Sequence, residues 1–134
     1  MNKASSLTFA LVLATNKPKS FLDGTTVDTY RALYVINKLE YHHIFPKAFL
    51  NSTGVSRSEA NYHLNISMQN LSNNREISDS KPSDYFKIIE DNTGDKLMVV
   101  LESNFISRDG FEAGKSNDYN YFLQERNKLL TEKI

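Results

Sequence analysis

The sequence predicts an α+β domain in which one short antiparallel hairpin sits among helices. Three observations predict it. Apolar residues recur with helical spacing near both ends of the chain. Two short runs with strand character, Glu40 to Phe45 and Leu64 to Leu71, flank a polar stretch that contains Gly54. A helix start with Pro82 follows the second run. At 134 residues the chain fits a single domain, residues 1–134, because a chain of that size buries roughly two thirds of its unfolded surface.

In chain order, Leu7 to Ala14 is apolar nearly all round apart from Thr8, which predicts a buried helix ended by Asn16 to Ser20 with Pro18. An Asp-Gly turn follows at Asp23 and Gly24. Val27, Tyr30, Leu33, Tyr34 and Ile36 then suit the apolar face of an amphipathic helix that delivers the chain to Glu40. Glu40 to Phe45 reads as a short strand that stops at Pro46, since proline has no amide hydrogen to pair. Asn51 to Ala60 is polar and reads as a loop, or a loop with one helical turn. Leu64, Ile66 and Met68 alternate with polar residues and supply the returning strand.

A helix starts at Pro82, carries Tyr85, Phe86, Ile88 and Ile89 on its apolar face, and closes at Asn92 to Gly94. The run KLMVVLESNFI is too short for periodicity to separate strand from helix, and helix is the reading adopted. Tyr119, Phe122, Leu123, Leu129 and Leu130 form the apolar side of a terminal helix that closes the core.

Sixteen basic and sixteen acidic residues cancel, so any grip on nucleic acid must be local. Cysteine is absent, which excludes disulfides, thiolate nucleophiles and cysteine-based zinc sites, and leaves nitrogen and oxygen as metal donors. The lysine and apolar run at the start have a superficial likeness to a secretory signal, but no small-x-small site follows cleanly and a core helix is expected. That run falls far short of the roughly 20 residues that span a bilayer, so a cytoplasmic protein without membrane partners is expected.

The chemistry concentrates in LEYHHIFPKAFL, Leu39 to Leu50. Adjacent histidines on an extended segment point to opposite sides, so two imidazoles there suggest two separate tasks. The polar residues that a returning strand and helix would bring back to them are Asn65, Asn73 and Asn74. One imidazole and one amide oxygen could hold a cation, leaving the other imidazole to take a proton from water.

The segments EYHHIFPKAFL, LNISMQNLSNNREIS and SKPSDYF, which span Glu40 to Phe86, resemble the HNH nucleases of the ββα-metal (His-Me finger) group. The nearest likeness is to the carboxy-terminal HNH domain of GmrSD-type restriction endonucleases. NKPKSFLDG before the motif and DYNYFLQERNKLL after it also look like that family's flanks. The resemblance implies a ββα-metal core at about residues 39–92, with flanking helices in 5–38 and 97–134. It implies His43 as general base, His42 as first metal ligand, Asn65 as the residue that orients loop and base, and Asn74 as the second ligand. Asn73 competes with Asn74, since either could instead cap a helix. Glu40 would support the metal shell, and His63 could enter as an alternative ligand. Lys47, Arg57 and Arg75 could reach flanking phosphates, Arg75 being the best placed beside Asn74.

The implied activity is hydrolysis of DNA phosphodiesters with one divalent metal ion, in a restriction or phage-defence system. Many HNH sites carry aspartate where this chain has His42. An imidazole there moves the metal preference from magnesium toward manganese, nickel or zinc. GmrSD-type enzymes also carry a nucleotide-hydrolysing domain that this chain lacks, so such a domain or subunit is an expected partner beside DNA. Two rivals remain: a catalytically silent nucleic-acid-binding or docking module with the same fold, and a structural zinc domain using His42, His43 and His63.

Overall fold

The computed structural model describes residues 3–37, 42–69 and 81–133. It is mainly helical, with one small antiparallel sheet, and so is α+β. Helix α1 (Lys3–Thr15) ends where Pro18 approaches, and the chain then loops back through the Asp23–Gly24 turn. Asp23 Oδ1 accepts hydrogen bonds from the Thr25 amide at 3.0 Å and the Thr25 hydroxyl at 2.7 Å. Gly24 takes φ +73°, a conformation that costs glycine little because it has no Cβ. Helix α2 (Thr29–Asn37) packs on α1.

Strand β1 (His42–His43) pairs with β2 (Ile66–Ser67), placing His42 opposite Ser67 and His43 opposite Ile66. Between them run two short helices, α3 (Lys47–Ser52) and α4 (Arg57–Ala60), and a 3₁₀ turn (His63–Asn65). Pro46 precedes α3, where its missing amide hydrogen and fixed φ cost nothing. Ser56 caps α4 by accepting from the Glu59 amide at 3.1 Å.

Helix α5 (Pro82–Thr93) has proline in its first turn and is followed by Gly94 at φ +52°, the start and stop expected from its sequence. Tyr85, Phe86 and Ile89 have no exposed surface, and burying side chains of this kind is worth roughly 1.5–3 kcal/mol each. Then come α6 (Leu97–Ser103), α7 (Arg108–Lys115) and α8 (Tyr119–Lys133). Helix α7 packs against both α5 and α8.

Two apolar clusters meet around the hairpin. Ile44 and Phe45 belong to one, with Tyr85, Phe86, Phe111 and Phe122. Met68 belongs to the other, with Leu13, Val27 and Leu130. Arg126 of α8 ties the two regions together. Its guanidinium is 1% exposed and donates to the carbonyls of Leu64, Ile66 and Asn104. Burial lowers its pKa to about 9, so it is still charged at neutral pH, with carbonyl dipoles as its counterparts.

Several expectations need correction. Leu11 of α1 is 56% exposed and Tyr30 of α2 is 86% exposed, so neither lies on a buried face. Val27 is buried but precedes α2. Ile88 lies at the rim of the α5 apolar face, 38% exposed. The polar stretch from Asn51 to Ala60, read as a loop or a loop with one helical turn, holds that turn as α4, and only the end of α3 within it was not expected. The second strand is shorter than expected, because Leu64 sits in the 3₁₀ turn. Its apparent alternation misled: Asn65, Ser67 and Gln69 are as buried as Ile66 and Met68, since protein covers both faces of the ribbon. Helix α7 lies within the flanking helical region expected over 97–134, but no apolar pattern marked it individually, its apolar content being little more than Phe111 and Ala113 among Gly110 and Gly114.

Gly114 makes this packing possible. A Cβ built there would lie 2.5 Å from Cζ of Phe86, a ring already enclosed by Phe45, Phe111 and Phe122. Gly114→Ala should therefore destabilise the fold by about 1–3 kcal/mol, the usual cost of overpacking. Urea denaturation checks this, and an unchanged midpoint would contradict the close packing of α5 on α7.

Candidate functional site

The site is built on the two residues of β1. Because neighbouring side chains of a strand leave on opposite faces, the two imidazoles enter different surroundings. His42 is 5% exposed and its Nε2 lies 3.3 Å from the Tyr85 hydroxyl of α5. The Phe21 ring stands 6.1 Å from the imidazole, held there by the Phe21 amide donating to Gln69 Oε1 at 3.0 Å. Burial pushes the Tyr85 hydroxyl well above the ordinary phenol range, so His42 faces a neutral phenol that can donate or accept.

His43 is only half-buried, and its Nε2 lies 2.7 Å from Asn61 Oδ1. A carboxamide oxygen carries no hydrogen and can only accept. The proton of this contact therefore sits on Nε2 of His43.

Asn65 is fully buried and touches neither imidazole through a described hydrogen bond. The Ile44 amide donates to the Asn65 carbonyl at 2.8 Å, continuing the ladder one step past β1. The Asn65 side chain then supplies the next step. Its Oδ1 accepts from the Phe45 amide at 2.7 Å, and its Nδ2 donates to the Phe45 carbonyl at 3.0 Å and the Ala60 carbonyl at 2.9 Å. Asn65 thus fixes the loop that carries the histidines. It is a positioning residue, without access to a reacting atom.

His63 lies away from this pair. It is half-buried against the edge of Phe9, with ring centroids 5.2 Å apart, and burial lowers its pKa. Lys47 and Arg57 are exposed at the starts of α3 and α4. Glu40, Asn73, Asn74 and Arg75 lie outside the described residues.

For a metal, the described donors are limited. Among the described residues no three His, Asp or Glu side chains converge, so His42, His43 and His63 do not form the structural zinc site considered from the sequence. A pair of one imidazole and one carboxamide is smaller than the groups this excludes. The Ser67 hydroxyl, directly across the ladder from His42, is buried and has no hydrogen-bond partner among the described residues. Such an oxygen is costly to leave unsatisfied, and a bound ion or its water would complete it.

Asn61 is the site residue that the sequence did not reveal. It caps the C-terminus of α4 with ordinary dihedral angles, φ −96° and ψ 13°, so it carries no backbone signature. No local pattern marks it, because its contact with His43 joins residues 18 positions apart in sequence.

Comparison with known proteins gives little more. No family model matches the chain, and no solved structure matches it. An uncharacterized protein of Methanocaldococcus jannaschii is 31% identical over 140 aligned residues, covering 89% of this chain and 23% of that protein. The chain therefore spans less than a quarter of that relative's length. No described helix is long and apolar enough to cross a membrane.

Proposed function

We propose that this chain is a metal-dependent phosphodiesterase, an HNH-type endonuclease or nicking domain that acts on DNA. The observation that carries the proposal is the division of labour within β1. One imidazole is buried against a phenol, while its neighbour is half-exposed and held by a carboxamide. An antiparallel return strand and a fully buried asparagine fix both histidines at the start of the loop. The arrangement suits a site that separates ion holding from proton transfer.

In the proposed reaction His43 removes a proton from a water molecule as its oxygen attacks phosphorus. The new phosphorus–oxygen bond forms as the bond to the leaving sugar oxygen breaks, and that oxygen departs with a proton taken from solvent. General-base assistance of this kind is worth roughly 10²- to 10⁴-fold in rate. His42 and Asn74 would hold one divalent ion, whose chemistry is to offset the charge that builds on the phosphate oxygens. Lys47 and Arg57, and Arg75 beyond the described residues, would contact flanking phosphates. With a net charge of zero, few phosphates are neutralised and binding to DNA alone should depend only shallowly on salt.

A role in restriction or phage defence, beside a nucleotide-hydrolysing domain or subunit, belongs to the same proposal. Its support is the family resemblance, together with a match confined to part of a longer protein. The test is supercoiled plasmid incubated with manganese or magnesium. Open-circle product that disappears with a chelator is the expected result. A folded, metal-binding chain that hydrolyses neither plasmid nor an activated phosphodiester would favour the silent docking module instead.

A further inference from the structure

We infer that Ser67 is an oxygen donor to the metal ion of the proposed reaction, joining the site from the second strand and tipping its preference toward manganese. The inference rests on the metal-dependent function proposed above and adds a residue and a metal to it. Three buried polar side chains alternate along the return strand and its flanks: Asn65, Ser67 and Gln69. Two of them have structural partners. Asn65 holds the Phe45 backbone and the Ala60 carbonyl. Gln69 Oε1 accepts from the Phe21 amide at 3.0 Å, and its Nε2 donates to Asn104 Oδ1 at 3.1 Å. Ser67 is 1% exposed, and its hydroxyl has no partner among the described residues. A buried hydroxyl in that condition costs stability that a methyl group of similar shape would not, so packing alone does not account for a serine here.

The place of Ser67 in the ladder identifies its guest. It stands directly opposite His42 in the antiparallel register. Opposed residues of such a pair project to the same face, with Cβ atoms about 4.5–5.5 Å apart. An imidazole and a hydroxyl rooted that close can serve one ion. Their chemistry also selects it. Imidazole alone suits zinc and nickel as well as manganese, whereas a neutral hydroxyl is a hard oxygen donor of the kind that manganese and magnesium accept. Manganese is the ion that both donors suit.

The test uses the full chain and two substitutions. Ser67→Ala should melt, without metal, at the wild-type temperature or above it, since no described hydrogen bond is lost. Its manganese affinity, read from the rise in Tm as manganese is added, should fall by roughly 10- to 100-fold, the usual cost of losing a group that supports a bound metal. Because the chain has no cysteine, Ser67→Cys introduces a single thiol. Cadmium, a soft ion that favours thiolates, should then give an ultraviolet thiolate-to-metal charge-transfer band that saturates at one ion per chain. The band should be absent from the wild type and should weaken when His42→Ala is added. A folded Ser67→Cys chain without the band would overturn the inference. So would a Ser67→Ala variant that binds manganese as tightly as the wild type, and if the wild type hydrolyses bis(p-nitrophenyl) phosphate the proposed function would stand without Ser67. Both metal results as expected, with no hydrolysis of plasmid or diester by the wild type, would overturn the phosphodiesterase function and leave Ser67 established as a metal ligand.

Discussion

Replacing His43 by alanine is expected to lower plasmid nicking by about 10²- to 10⁴-fold, the range that a positioned general base contributes. The fold should survive. His43 is half-buried at the edge of a two-residue strand, and its described hydrogen bond is to Asn61, itself half-buried. Water can therefore replace the imidazole at Asn61 Oδ1 without leaving a fully buried acceptor unsatisfied. Manganese binding should be nearly unchanged, because His42 leaves the strand on the other face, next to Tyr85 and Phe21. His42→Ala should do the reverse, weakening metal binding first and activity as a result. Nicking rates and metal titrations on the two variants would separate the roles. Equal loss of metal affinity in both variants would contradict the division between the two imidazoles.

The largest effect on stability is expected at Asn65. Asn65→Ala removes three buried hydrogen bonds at once and strands the Phe45 amide, the Phe45 carbonyl and the Ala60 carbonyl. Unsatisfied buried backbone groups cost about 1–3 kcal/mol each. A loss on the order of 3–5 kcal/mol follows, without assuming strict additivity. Domains of this kind are commonly stable by only about 5–15 kcal/mol, so the variant should melt far below the wild type. Asn65→Asp tests the geometry more finely. An aspartate can still accept from the Phe45 amide, but it loses both donors and sets a carboxylate against two carbonyl oxygens. It should rescue little of the loss. A thermal melt in which either variant matches the wild type would show that the loop holds its shape without this amide.

The parts of the fold legible in the sequence are those marked by strong local chemistry. Pro82 and Gly94 bracket α5 because proline fits the first helical turn and glycine tolerates φ +52°. The Asp23–Gly24 turn was marked by its side-chain acceptor and its glycine. Helix α8 followed from an apolar pattern of sufficient length, whereas α6 lay in a run too short for periodicity, where helix was adopted over strand. Short elements were legible only in part, α4 as one possible helical turn and α3 not at all. Helix α4 has four residues, too few for any periodicity, and its one sequence signal is the Ser56 cap. Helix α3 was hidden because Pro46 was read as ending a strand and not also as starting a helix.

Side-chain burial was the less legible property, because it depends on what covers an element. Tyr30 matched the apolar spacing of α2, yet it is 86% exposed and no described residue covers it. Asn65, Ser67 and Gln69 occupy polar positions of an alternating pattern, yet all three are buried because core lies on both sides of β2. The histidine pair was legible as a pair of tasks, since strand geometry alone divides adjacent side chains. The contact between His43 and Asn61 bridges 18 positions of sequence, and no local pattern encodes it. It exists because Tyr119 and Asn65, from two other elements, anchor the end of α4.

The most direct measurement is the hydrolysis of bis(p-nitrophenyl) phosphate by the purified chain, because this small activated diester needs neither a DNA-reading surface nor a nucleotide-driven partner. With manganese or magnesium present the chain should release p-nitrophenolate above the rate of the metal alone, and it should stop when the metal is chelated and resume when it is returned. A folded chain, saturated with metal, that releases none above that background would contradict a phosphodiesterase built on His42 and His43.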